Sequence, residues 1–183
     1  MRTDDKKSSV ITLGSQIDFF YKKPDELPLG LMDKICRMVE AGGSVDPQFV
    51  RFNLERAYLI GYALDNGLLV GNSCLKHPRD EFIQRLKEKT GLDFNHFVER
   101  GYTSVRPEYR AMGIGTKLLE GLTQRARNYK IFSIIGEDNP ATHKIALRNK
   151  TKKVAVYYSE KVGKNLGVWM PEHMIDETCN VNL

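Results

Sequence analysis

The stretch Tyr102-Thr-Ser-Val-Arg-Pro-Glu-Tyr-Arg-Ala-Met-Gly-Ile-Gly-Thr116 predicts a strand ending near Val105, a polar loop, and a helix opened by two glycines one residue apart. Helix N-termini present unpaired N–H groups and about half a unit of positive charge. Glycines let those groups approach an anion closely and take turns that a side chain forbids. The combination is a cradle for phosphate.

Two familiar phosphate loops do not fit. A Walker loop, GxxxxGK[ST], needs lysine directly after its last glycine. Here Gly115 is followed by Thr116 and then Lys117, and the earlier glycine would fall on Arg110. A dinucleotide fingerprint, GxGxxG, fails because the sixth position counted from Gly113 is Leu118. What remains is Arg110-x-x-Gly113-x-Gly115. In its strand–loop–helix setting this resembles R/Q-x-x-G-x-G/A, the acetyl-CoA-binding motif of the GNAT superfamily of N-acetyltransferases. The preceding Val105-Arg-Pro-Glu-Tyr109 resembles that family's lead-in. The clear resemblance spans about residues 97–150, and the order of elements extends it over most of the chain.

The resemblance implies an α/β (α+β) fold with a mixed, mostly antiparallel central sheet and helices on both faces. Residues 1–183 would form one such domain. It implies acetyl-CoA as co-substrate, no metal, and direct acetyl transfer to a primary amine in a ternary complex. Residue by residue, the cofactor site would comprise Arg110, Ala111, Met112, Gly113, Ile114, Gly115 and Thr116. Backbone N–H groups from Met112 to Thr116 would hold the pyrophosphate. The backbone around Ser104 and Val105 would pair with the pantetheine arm, where two central parallel strands splay apart. Asn139 matches an asparagine that contacts pantetheine, and it also reads as a plain helix cap.

An amine with a pKa of roughly 10 is protonated at neutral pH, so acetyl transfer to it calls for a base. Glu99, six residues before Val105, lies at the offset where some family members carry that base. The alternative is an exposed strand glutamate paired with Arg100 or a neighbouring lysine. Many members place a tyrosine seven residues after the asparagine as general acid, but here that position is Ala146. Tyr157 and Tyr158 on a later strand are the remaining candidates for protonating the thiolate. His143 is a weaker one, and water is another. Cys74 shows no paired histidine, which argues against a covalent route.

Working outward, Leu31 to Val39 has helical spacing, and Asp46-Pro47 opens a second helix running to about Glu55. Ala57 to Leu64 and Leu68 to Leu75 read as strands joined by a turn at Asp65-Asn-Gly67. Residues 79–90 read as a helix stopped by Gly91, and Phe97 to Val105 as a strand. Ile114 to Arg127 is an amphipathic helix, Ile131 to Ile135 a strand, and Asp138-Asn139-Pro140 the start of another helix. Val154 to Glu160 and Leu166 to Met170 form a final hairpin. A short first strand is expected at Ile11 to Gly14. The family normally joins its third and fourth strands by a short turn, so residues 76–96 are a helical insertion. Such insertions are often functional, and this one suggests a flap over one edge of the acceptor site. A surface insertion that merely packs on the sheet is the plainer reading. Trp169 reads as core rather than pocket.

The chain has 183 residues, 41% of them hydrophobic, which suits one domain with a single core. No apolar run reaches the ~18 residues of a membrane span, and the N-terminus carries no secretory h-region. Three cysteines without metal-like spacing suggest free thiols in a cytoplasmic protein. The net charge of +5 and pI near 9 suit either nucleic acid or a phosphorylated cofactor. The basic residues form no stripe with aromatics, which argues against nucleic acid. The partner expected is a small-molecule or peptide amine. A homodimer through a shared final hairpin stays open. The rival function is a non-catalytic acyl-CoA-binding regulator or scaffold.

Overall fold

The computed structural model describes residues 16–43 and 45–175. Among these residues lies a seven-stranded sheet with the order β1-β2-β3-β4-β5-β7-β6. The strands are β1 (Ile17–Lys22), β2 (Ala57–Asp65), β3 (Leu68–Lys76), β4 (Phe97–Val105), β5 (Lys130–Gly136), β6 (Thr151–Ser159) and β7 (Lys164–Pro171). The helices are α1 (Leu31–Ala41), α2 (Pro47–Glu55), α3 (Asp80–Thr90), α4 (Ile114–Gln124) and α5 (Pro140–Arg148). Every strand pair is antiparallel except β4 with β5, which is parallel. The expected mixed, mostly antiparallel sheet with helices on both faces is therefore present.

Local chemistry explains most boundaries. Asn66 and Gly67 join β2 to β3 with φ of 47° and 81°, the two positive values that a type I′ hairpin turn requires. Pro47 and Pro140 each occupy a first helical turn, where a missing N–H costs nothing. Two ends differ from expectation. Helix α4 stops at Gln124 rather than Arg127, because the chain tightens there, Ala126 N–H bonding Thr123 O, before Arg127 takes φ +54°. Strand β6 starts at Thr151 rather than Val154, paired there with Pro171 of β7. The first strand expected at Ile11 to Gly14 falls outside the described residues. The observed β1 was not foreseen, because Phe19, Phe20 and Tyr21 in a row hide the alternation that marks a strand.

The apolar residues sort the helices onto two faces. Ile35 and Val39 of α1 and Val50 and Leu54 of α2 bury against Ile60, Tyr62 and Cys74. Ile83 and Leu86 of α3 join Phe94, Phe132, Val168 and Met170 on that same face. On the opposite face, Leu118 and Leu122 of α4 cover Ala63, Val70, Leu75, Val98 and Ile131. Ala146 of α5 meets Ile135 and Trp169 there. Gly121 is required by this packing, since a Cβ there would lie 2.0 Å from the Tyr21 hydroxyl. The segment after β3 is no detachable flap, because Phe94 and Leu86 are each 1% exposed.

One irregularity positions the site. Strands β4 and β5 pair only from Phe97 with Lys130 to Glu99 with Phe132. Beyond that point β4 stays with β3, while β5 continues alongside β7 from Ser133 to Gly136. The parallel strands therefore open into a notch. The loop after β4 and the N-termini of α4 and α5 stand at its mouth.

Candidate active site

The loop leaving β4 is tied down before it reaches the glycines. Arg106 donates its N–H to Val70 O at 3.0 Å and its Nε to Leu69 O at 2.7 Å. The Tyr109 hydroxyl donates to Asp65 Oδ2 at 2.7 Å, with both residues buried. That contact with the carboxylate raises the phenol's pKa. Gly113 is the N-cap of α4 with φ +80° and no side-chain cap. The first helical bond joins Lys117 N–H to Gly113 O. The N–H groups of Ile114, Gly115 and Thr116 thus have no helical acceptor and face outward for an anion.

These groups line a cleft of about 1130 Å³. Among the described residues, its wall carries Lys34, Arg37, Arg106, Arg110, Lys144 and Arg148 and no acidic side chain. Of the expected cofactor residues, Ser104, Val105, Arg110, Ala111, Gly113, Ile114, Gly115, Thr116 and Asn139 all line it. Met112 does not; it is 47% exposed. Asn139 also caps α5, its side-chain oxygen accepting from Thr142 N–H at 3.1 Å. A concave, cationic, acid-free wall beside an uncapped helix start fits the phosphates of coenzyme A.

Strand β4 carries a bulge at this place. Gly101 pairs with Cys74 and Ser104 with Asn72, so Tyr102 and Thr103 together oppose Ser73. Tyr102 has φ +53°, and its carbonyl accepts from Asn72 Nδ2 at 2.7 Å. Buried Asn72 and Ser73 hold the distortion, Ser73 through Thr103 Oγ1 at 2.8 Å.

Glu99 lies on the α1–α3 face. It is not an exposed glutamate and not Arg100's partner. Lys76, directly opposite on β3, holds it at 3.1 Å, with side-chain exposures of 12% and 13%. Arg100 points the other way, to Thr123 of α4. The Lys76 ammonium also sits 4.3 Å from the ring centre of Tyr102, whose hydroxyl accepts from Asn53 Nδ2 at 2.7 Å. Burial pushes the Lys76 pKa down, but Glu99 and the groups beside it outweigh this and hold it raised. Tyr157 shares this face, packed with the α3 cluster. Its phenol is pushed up to about 12, first by burial and then by the charge of Glu99. Tyr158, 53% exposed, is on the other side of the strand and is not brought near Glu99. His143 packs on Trp169 with ring centres 5.1 Å apart, and Trp169 is core as expected. The lysine pairing expected as an alternative for Glu99 is thus present, but the sequence did not name Lys76, because residues 77–96 conceal which β3 residue pairs with Glu99.

A family model for the GNAT acetyltransferases matches residues 31–148. The chain belongs to the GNAT acetyltransferase family. It is accordingly an acyl-CoA N-acyltransferase of the N-acetyl type. No curated protein matches this GNAT chain in sequence. Solved structures do match it in fold. The ribosomal-protein-S18-alanine N-acetyltransferase of Escherichia coli has a TM-score of 0.61 at 14% identity, covering 91% of this chain and 100% of that one. An acyl-CoA N-acyltransferase from Pseudomonas aeruginosa gives 0.61 at 17% identity, with coverage of 85% and 99%. The protein yncA of Salmonella typhimurium, solved with its cofactor acetyl-CoA, gives 0.58 at 15% identity, with coverage of 85% and 92%. Among the described residues no helix is long and apolar enough to cross a membrane.

Proposed function

We propose that this chain transfers an acetyl group from acetyl-CoA to a primary amine by direct attack within a ternary complex. The observation that carries the proposal is the uncapped start of α4 opening onto a cleft that, among the described residues, has six basic and no acidic side chains. Bound acetyl-CoA supplies the activated acetyl thioester. The N–H groups of Gly113 to Thr116 take the pyrophosphate, with Arg110, Lys144 and Arg148 beside them. The edge of β4 at Ser104 and Val105, which has no β5 partner, takes the pantetheine amides, together with Asn139.

On the opposite face, Glu99 accepts the proton that the amine sheds. Lys76 holds Glu99 in an ion pair at 3.1 Å. Its positive charge also disfavours an ammonium beside it and so favours the neutral amine that attacks. Tyr157, protonated throughout the neutral range, donates a hydrogen bond within the same pocket. The acceptor is a small-molecule or peptide amine small enough to reach the notch between β4 and β5.

Thermal melting tests the cofactor half of this reading. Acetyl-CoA at about a hundred times its dissociation constant stabilises by about 2.7 kcal/mol. For a domain of this size the melting temperature should rise on the order of 5–11 °C. No shift in folded protein would remove the cofactor assignment. A shift without turnover on a broad amine panel would favour a non-catalytic acyl-CoA-binding role.

A further inference from the structure

The turn between β6 and β7, from Ser159 to Lys164, is fastened well outside its own hairpin. It is stiff in itself, since Gly163 takes φ +65° and donates its N–H to Ser159 O at 2.8 Å. Its charged side chains reach three other parts of the chain. Glu160 accepts from Lys89 Nζ, in the last turn of α3, at 2.8 Å, and Lys89 also donates to Tyr158 O at 3.1 Å. Lys161 donates to Asp46 Oδ2, at the N-cap of α2, at 3.0 Å, and its ammonium lies 5.5 Å from the ring centre of Phe49. Lys164 donates to both carboxylate oxygens of Asp138 at 3.0 Å, beside Asn139.

The contact with α2 is the one that spans the notch. Helix α2 belongs to the β4 side, because Asn53 donates to the Tyr102 hydroxyl while Val50 and Leu54 pack with Ile60 and Cys74. The turn belongs to the far side, because β7 and β6 follow β5 in the sheet order. Lys161 therefore joins the two flanks of the notch on the face that carries Glu99 and Tyr157. Arg79, the N-cap of α3, also stacks on Phe49, 4.5 Å from its ring centre, so α2, α3 and the turn meet around one ring. The link is an open one, with side-chain exposures of 57% for Lys161 and 30% for Asp46. Exposed ion pairs hold weakly. The turn can thus lift from α2 while the β6–β7 ladder, paired from Thr151 with Pro171 to Ser159 with Lys164, keeps its base in place.

We propose that Lys161 is a specificity-determining residue: by fastening the β6–β7 turn to Asp46 and Phe49 it straps the notch on the Glu99 face, and so admits small amines in preference to peptide chains. The inference rests on the acetyl-CoA reading above and deepens it by choosing between its two classes of acceptor. A small amine brings its whole bulk into the notch, and the strap stays fastened over it. A peptide N-terminus trails its chain out past the strap. To bind, it must first break the contacts of Lys161 with Asp46 and Phe49. Lys161 selects the acceptor and takes no part in the transfer itself.

Two coenzyme A derivatives, alkylated on sulfur with an acetamide whose nitrogen carries either a methyl group or a glycine tripeptide, test this by calorimetry without turnover. Free coenzyme A serves as the reference. The wild type should bind the methyl compound about tenfold more tightly than the peptide compound, which must displace an ion pair and a cation–π contact. In Lys161→Ala that preference should vanish while the affinity for free coenzyme A stays as it was. Lys161→Glu should abolish it too, and adding Asp46→Lys should restore it, which a general loosening of the surface would not do. Equal binding of the two derivatives by the wild type overturns the inference. So does a preference that persists unchanged in folded Lys161→Ala. Failure of free coenzyme A to bind would instead overturn the underlying cofactor reading, and the strap's role with it.

Discussion

Glu99 is held by two demands that pull against each other. A base for an amine must take up a proton, while the same carboxylate is the ion-pair partner of a lysine 3.1 Å away. The arrangement works if Glu99 receives the proton only in transit to solvent. Glu99→Gln should then lower kcat/KM by about 10²–10⁴. It should also destabilise the fold by about 3 kcal/mol, because Lys76 is left as a buried unpaired cation. Adding Lys76→Met removes that cation, so the double variant should regain most of the stability in urea unfolding but none of the activity. Activity close to wild type in the double variant would end the assignment of Glu99 as base. At this scale the sequence was uneven. The offset of Glu99 from Val105, the glycine pair and Asn139 were all legible, because each depends on spacing along one element. The pairing with Lys76 depends on register between strands, and so does the opposite direction of Arg100. Neither is written in local spacing.

Elements were easier to read than contacts, since hairpin turns, N-terminal prolines and Gly91 mark their own positions. The insertion shows where that ease misleads. Asp80 to Thr90 is amphipathic whether it covers an acceptor or a core, and the sequence alone suits both. The structure uses its apolar side as core, with Ile83, Leu86, Leu92 and Phe94 around Phe132. Cutting out residues 78–95 would therefore expose that cluster and report on folding before specificity. A point change separates the two. Phe94→Ala should cost about 3–5 kcal/mol in urea unfolding, the toll of a fully buried aromatic. A loss below about 1 kcal/mol would mean that the segment is a loosely held flap after all. What α3 can contribute to the acceptor is polar. Arg85 acts on the charge state of Tyr157 from that helix.

Over the whole molecule, charge and burial account for two bulk properties. Among the described residues, six of the chain's 28 basic residues and none of its 23 acidic ones line the cofactor cleft. Positive charge is thus gathered on one concave wall, as a polyanionic cofactor requires. The second property is a limit at high pH. Cys74 is fully buried on β3, and burial raises its thiol pKa from 9.0 to about 12. Tyr157 rises from 10.0 to about 12. Both folded values lie above the unfolded ones, so these groups support the fold fully below about pH 9. The support drains away as pH climbs through that window, because the unfolded chain releases its protons first. For Cys74 alone the loss amounts to about 1.4 kcal/mol by pH 10. Urea unfolding at pH 8 and pH 10 should show that difference or more in the wild type. Cys74→Ala should be less stable at pH 8 yet lose less on going to pH 10. Equal losses in both proteins would mean that the buried thiol does not set the alkaline limit.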